Sequence, residues 1–530
     1  MGRWLGAFTE ARGWRRLLYL VAAGALSALA MAPFHVWPIL FLTIPLMIAA
    51  AIPDGTEKLG ARLRRGFGAG WAFGFGFHLA GLHWIAFPFL VQPEIFAWAL
   101  PFAVVSMPAG LALFTGAGAA LGTLISSRWL PAPFAFAIAV TLSEFARGTW
   151  ATGFPWNTFG YAFAGQLPLA QVLSVIGLYG LTAVGLAAVA LPLWIWPRRT
   201  GGITRPLFAV AAGVIPFVAM AVFGAVRLSA PTPGLQPDIR LRLVQPAIDQ
   251  REKWRPDAQA RIFERHMALT TDGGLAGITH VVWAEAAMPF QPLRSEYAMQ
   301  RLAGMLPEGT HLIAGILRGE GPVTRPADRV FNSAVALDDQ ARVTHVYDKR
   351  HLVPFGEYLP FQDTLEALGL EQLTRQRGGF AIGDGPRPVS SVPGLPPIEF
   401  LICYEAIFPL EIARQATRAA ALFNLTNDGW FGTTTGPAQH AHQTRMRAIE
   451  FGVPVVRVSN NGISFVADPY GRTRQSIALN EVGRIDTGLP MPIAQPLAAR
   501  HPHAVFFACL SAVLLAGLAV GFVARRSKAS

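Results

Sequence analysis

Cysteine is nearly absent from this chain: Cys403 and Cys509 are the two in 530 residues. So sparse a supply excludes a disulfide framework, because stapled scaffolds need several bridges. Charge is scarce too. At 14% of residues it falls well short of the roughly 25% usual in soluble domains, which excludes an ordinary soluble enzyme. Acidic residues are the scarcer sign, 32 against 44 Lys and Arg. No glycine-rich phosphate loop or dinucleotide fingerprint occurs in a strand–helix setting. Neither the histidine of "HMALTTD" nor the His440/His442 pair makes a convincing metal site. No cofactor is therefore expected.

Apolar residues fill the gap, at 52% of the chain with a mean hydropathy of +0.38. They are unevenly spread. Long apolar runs broken by short basic loops extend to about residue 228, a mixed sequence follows to about 500, and one more run precedes the tail "ARRSKAS". A bilayer core of ~30 Å needs about 20 apolar residues in helix. The runs predict eight spans, at 17–34, 36–52, 67–90, 96–125, 131–146, 167–196, 207–226 and 503–524. A cleaved signal peptide fits poorly, because further spans follow the first at once.

Orientation follows from the bias of basic loops toward the cytoplasm. With a cytoplasmic N-terminus, Arg3, Arg12, Arg15, Arg16, Lys58, Arg62, Arg64, Arg65, Arg128, Arg198, Arg199, Arg205, Arg525, Arg526 and Lys528 all fall on that side. Arg147 stands almost alone opposite. The expected organisation is a span bundle at 1–228, an external domain at 229–500 in a periplasm-like compartment, and a last span with a cytoplasmic tail at 501–530. The net charge of +12 is then largely a topology signal, helped by anionic lipid, and calls for no nucleic-acid partner.

That topology makes Cys403 unusual. It lies in the external domain while Cys509 lies in the last span, so the two are not expected to pair. An unpaired thiol in an oxidising compartment is either a small buried hydrophobe or a reactive group. The external domain reads as alternating strands and helices, with strands at 239–247, 280–290, 311–317, 329–338, 341–348, 398–404, 420–426, 454–459 and 463–468. Nearly continuous apolar strands suggest a layered α/β domain with both sheet faces covered. Three of these strands run into ionisable residues: Glu285 after "VVWA", Lys349 after "VTHVYD", Cys403 after "FLI". Together they would supply a base, a cation for a developing oxyanion, and a nucleophile. Spacing alone leaves Glu357, Glu405, Asp348 and His351 as competitors.

The blocks "WAEAAMP", "YDKRHLVPFGEY" and "LICYEAIFP" resemble, in order, those of the carbon–nitrogen hydrolase (nitrilase) superfamily. Set within eight spans, and with "GFPWNTFGY", "FNSAVAL" and "NLTNDGWFG" beside them, the chain resembles the apolipoprotein N-acyltransferase family. The resemblance implies a membrane α-helical bundle of about eight transmembrane helices joined to a nitrilase-like α-β-β-α sandwich. It implies Glu285 as general base, Lys349 as charge stabiliser and Cys403 as nucleophile. Glu357 would hold the triad, Tyr404 would offer a backbone N–H to the oxyanion, and Glu405 would orient its neighbours. Trp254, Asn332 and Trp430 match further positions, Trp254 beside an acyl channel.

The activity so implied moves an acyl chain from a phospholipid such as phosphatidylethanolamine, through a Cys403 thioester, to the N-terminal amine of a diacylglyceryl apolipoprotein. It would take place at the bacterial inner membrane, with membrane lipids as further partners. The Gly-rich segment 351–380 is the candidate lid. Two rivals stand beside this reading. A membrane-tethered amidase would use water and an open, polar pocket. A transporter or non-enzymatic assembly factor would want charges in several spans, where few occur.

Overall fold

The computed structural model describes residues 13–52, 57–195, 204–323, 326–374, 376, 378–416 and 418–529. Arg3, Arg12, Arg198 and Arg199, used above for orientation, lie outside them. The described chain falls into two compact units. One comprises residues up to Ala86, Ala99–Ala230 and His501 onward; the other comprises Phe87–Trp98 and Pro231–Arg500.

The first unit is helical. Each predicted span overlaps a helix: Trp14–Ser27, Leu40–Ala51, Leu59–Gly81, Leu100–Ile125, Ala132–Thr149, Leu173–Ala190, Thr204–Leu228 and Pro502–Ala529. By length and composition, four segments among the described residues are apolar enough to cross a membrane: Pro93–Ile125, Leu173–Leu193, Val210–Leu228 and Pro502–Arg526. A fifth is reached if Leu59–Gly81 continues through a 47° bend into His83–Leu90. The expectation of eight is thus met only in part. Two of the remaining helices are short, 14 residues at Trp14–Ser27 and 12 at Leu40–Ala51.

Small residues set the helix packing, as is usual where lipid removes the hydrophobic drive between helices. A Cβ on Gly70 would sit 2.5 Å from the Thr115 carbonyl oxygen, so Leu59–Gly81 can lie this close to Leu100–Ile125 only with glycine there. Glu144 and Arg147, both buried, form an ion pair at 2.9 Å. Arg147 Nη1 also donates to the Trp156 carbonyl at 2.9 Å, so the pair ties down the "GFPWNTFGY" turn.

The second unit carries eleven strands: β1 Leu235–Gln245, β2 His280–Trp283, β3 His311–Glu320, β4 Arg329–Leu337, β5 Val343–Asp348, β6 Ile398–Ile402, β7 Ala421–Thr426, β8 Val455–Ser459, β9 Ser464–Ala467, β10 Thr473–Ile477 and β11 Gly483–Pro490. They form two sheets, ordered β11-β1-β2-β3-β4-β5 and β10-β9-β8-β7-β6. β1, β2 and β3 run parallel, as do β6, β7 and β8.

Side chains alternate across each strand and so serve two cores at once. Val282, Ile313, Phe400, Ile402, Phe423 and Val456 fill the space between the sheets. Val281, Trp283 and Leu312 face outward onto Phe263, Met267 and Leu302. Leu401, Leu422 and Val455 face outward onto Ile412, Ala448 and Phe451. With helices outside both sheets, the layers run α-β-β-α. This is why the strands read as unbroken apolar runs.

Candidate active site

Glu285, Lys349 and Cys403 leave β2, β5 and β6 at their C-terminal ends, and β2 and β5 belong to one sheet while β6 belongs to the other. The sandwich brings the three together. Lys349 Nζ lies 3.6 Å from Glu285 Oε1 and 2.9 Å from Glu357. The charges of both Glu285 and Lys349 act on the Cys403 thiol. All four side chains are buried.

Each carboxylate is fixed by further donors. Asn332 Nδ2, on β4, donates to Glu285 Oε1 at 2.7 Å and to Glu357 Oε1 at 2.8 Å. The Asn427 N–H donates to Glu285 Oε2 at 2.8 Å, and the Val353 N–H to Glu357 Oε2 at 2.8 Å. β4 runs antiparallel to β3 and β5, which carries Asn332 to the edge where β5 ends. The Lys349 N–H closes onto the Asn332 carbonyl at 2.9 Å. Asn332, a minor position in the sequence reading, is therefore the bridge between the two glutamates.

Cys403 has a left-handed backbone, φ 50°, between β6 and the short 3-10 turn Cys403–Ile407. A non-glycine residue in this region stores strain that its surroundings must hold. Its carbonyl accepts from His440 Nε2 at 3.1 Å. His440 Nδ1 is 2.9 Å from Asp428, which also takes a bond from Arg457 at 2.5 Å. Glu405 clamps the other side. Its carboxylate accepts from the Ile402 N–H at 2.7 Å, the Arg350 N–H at 2.9 Å, the Tyr347 hydroxyl at 2.8 Å and Arg387 at 3.2 Å. Glu405 thus ties the end of β6 to the end of β5, holding Cys403 and Lys349 in register.

The electrostatics divide these groups. Burial first, and the Glu285 charge next, push the Cys403 thiol well above its usual range, against the pull of Lys349. The thiol therefore rests protonated, and its ionisation needs a base to take the proton. Burial works against the Lys349 ammonium, but Glu357 and Glu285 outweigh it and hold the lysine firmly charged. Lys253 behaves oppositely: burial lowers it to about 8.

Of the competing residues, Asp348 and His351 are engaged elsewhere. Asp348 pairs with Arg318 at 2.7 Å, and His351 with Glu411 at 2.9 Å. The Tyr404 ring packs edge-on against His351 and Phe408, with centroids 5.4 and 4.9 Å away. Trp254 is half-buried, with Lys253 Nζ 5.8 Å from its ring centroid. Trp430 is half-buried in the turn after Asn427. Neither indole shares a hydrogen bond or ring contact with the triad among the described residues.

Sequence reasoning missed Lys253, Asn427, Asp428, His440 and Arg457. "NLTNDGWFG" was a signal for two of them. The others surface only through contacts, since a lone Lys, His or Arg reads as solvated or as core.

Residues 23–191 match the family model described as the apolipoprotein N-acyltransferase N-terminal domain, and residues 240–484 match that of carbon-nitrogen hydrolase. The apolipoprotein N-acyltransferase of Rhodopseudomonas palustris is 43% identical over 95% of both chains. That of Bradyrhizobium diazoefficiens is likewise 43% identical over 95% of both. The Brucella melitensis protein of the same name is 37% identical over 99% of this chain and 98% of its own. Among solved structures, an amidase from Nesterenkonia sp. is similar at 20% identity and a TM-score of 0.35, covering 49% of this chain and 94% of that one.

Proposed function

The chain belongs to the apolipoprotein N-acyltransferase family, and from that premise we propose that this acyltransferase completes lipoproteins by a two-step transfer through Cys403. In the first step Glu285 takes the thiol proton, and the thiolate attacks the sn-1 ester carbonyl of a phospholipid such as phosphatidylethanolamine. The ester C–O bond breaks, the proton passes to the leaving oxygen, and a lysophospholipid departs from a thioester. In the second step the α-amine of an S-diacylglyceryl-cysteine attacks the thioester. Glu285 takes the amine proton, an amide forms, and the proton returns to sulfur. Lys349 stabilises the oxyanion in both steps, with the Tyr404 N–H as a second donor.

One observation carries this reading: a buried thiol sits under the charges of Glu285 and Lys349, and the carboxylates of Glu285 and Glu357 are held by one asparagine, Asn332. Glu357 fixes Lys349, Glu405 fixes the nucleophile turn, and Trp254 and Trp430 line the approach of the acyl chains. Water must be kept from the thioester, or the enzyme becomes a phospholipase. Segment 351–380 is the proposed lid; Phe355, Phe361 and Leu368 on it are exposed.

Both substrates are lipid-anchored. That fits a multi-pass protein of eight spans in the bacterial inner membrane, with the 229–500 domain on the periplasmic side and both termini in the cytoplasm. The distribution of Lys and Arg supports this orientation.

The test is direct. Purified protein incubated with labelled phospholipid should gain one acyl mass on Cys403, labile to hydroxylamine and absent from Cys403→Ala. Glu285→Gln should slow its appearance by at least about a hundred-fold, the usual worth of a general base, with lipid binding intact. A folded, lipid-bound protein that gains no acyl mass would overturn the reading.

A further inference from the structure

Lys253 ends the short helix Gln250–Lys253, and its side chain is buried. Its Nζ donates to the main-chain carbonyl of Glu285 at 3.2 Å, its one hydrogen-bond partner among the described residues. Among the described residues no carboxylate is paired with it, although it feels the charges of Glu285 and Cys403. A buried ammonium that lacks a counter-ion is costly and is retained only where something gains from it. The neighbouring groups are few. Glu285 and Cys403 face it from the ends of β2 and β6. His266, on the helix Gln259–Thr271, is lowered to about 4 by burial and is neutral. Asp249, Arg251 and Glu252, on its own turn, are exposed to solvent.

The charge balance shows what gains. Lys349 faces two carboxylates, Glu357 and Glu285, so these three sum to one negative charge. When Cys403 ionises, its S–H bond breaks and an O–H bond forms on Glu285. The sum is unchanged, but the negative charge moves to sulfur in a site already short of cations. A protonated Lys253 brings the sum to zero.

We infer that Lys253 is a second cation of this site, a positioning residue whose ammonium favours the thiolate of Cys403. The inference rests on the reading of Cys403 as nucleophile and adds to it a group outside the Glu–Lys–Cys set. Because burial brings Lys253 to about 8, its charge is present at neutral pH and lost above it. The device therefore carries its own signature in pH.

The experiment follows the rate of Cys403 alkylation by iodoacetamide in the full-length protein in detergent, by intact mass, from about pH 6.5 to about pH 9.5. At about pH 7, Lys253→Met should be slower than wild type by about ten-fold, one unit of thiol pKa. The gap should close above about pH 9, where wild-type Lys253 is itself neutral. Lys253→Arg should match wild type at about pH 7 and exceed it above about pH 9, because guanidinium stays charged. A Met-to-wild-type ratio that is constant across the range would mark a merely structural lysine and overturn the inference. Should the Met variant fail to fold, the Arg comparison decides alone, and an Arg profile parallel to wild type overturns it. Alkylation needs no phospholipid. Failure of acyl transfer in wild type would thus sink the proposed function and leave this inference standing.

Discussion

At the scale of single residues, the site depends on side chains that hold other side chains in place. Asn332 is the clearest. It spends both amide hydrogens on two buried carboxylates, at 2.7 and 2.8 Å, and so holds Glu285 at 3.6 Å from Lys349. Asn332→Ala should free both carboxylates and slow acylation of Cys403 by about a hundred-fold, in line with losses when an orienting partner is removed. Phospholipid affinity should change little. Single-turnover acyl-adduct rates beside lipid-binding titrations check this, and an unaltered rate would reduce Asn332 to strand packing. Glu285, Lys349, Glu357 and Cys403 were legible in the sequence because each follows an apolar strand or lies in a distinctive block. Lys253 was not, because "DQREKW" looks like a solvated turn and only the fold buries its lysine.

At the scale of elements, the strand ends are held close by residues without side chains. A Cβ on Gly315 of β3 would fall 2.5 Å from Glu285 Cα and 2.6 Å from the Ala284 carbonyl oxygen. The turn after β2 therefore lies flat on β3 only with glycine there. Gly315→Ala should displace Glu285 and cut the acylation rate by at least about ten-fold, since misplacement of a catalytic group by a fraction of an ångström is costly. The check is the same single-turnover rate, with melting temperature as a folding control. A rate equal to wild type would show that the turn can shift without penalty. Nine strands were readable from apolar runs. β10 and β11 were not. β10, "TRQSI", exposes four of its five residues, and β11, "GRIDTGLP", breaks up its two aliphatic residues with glycine and polar side chains, so neither has the apolar pattern that marks a strand.

At the scale of the molecule, the second unit carries buried charges that act on its stability in opposite directions. Asp428 is disfavoured by burial, but Arg457 and His440 outweigh that and lower it to about 2 from 3.8. Its contribution is fully present above about pH 4 and is lost as pH falls toward 2. Glu399, on β6, is raised by burial to about 8 from 4.5, and Arg387 opposes this only in part. Its proton is held more tightly when folded, so stability is greatest below about pH 4.5 and declines as pH climbs toward 8. Glu399→Gln should therefore melt higher than wild type by a margin that widens from about pH 5 to about pH 8. Melting followed by near-UV circular dichroism reads it, and a margin independent of pH would contradict the assignment.

Apolar runs and basic loops determined, without any structure, that the chain is rich in long apolar helices, because hydropathy and charge are local properties. Strand-end chemistry and block order likewise singled out Glu285, Lys349 and Cys403, which the structure brings together. Only the tertiary structure decided which carboxylate shares Asn332, which lysine is left without a counter-ion, and how a strained cysteine is held. The first two depend on strand ends and turns packing together across 25 to 47 positions; bringing Cys403 to Glu285 and Lys349 depends on two sheets meeting face to face.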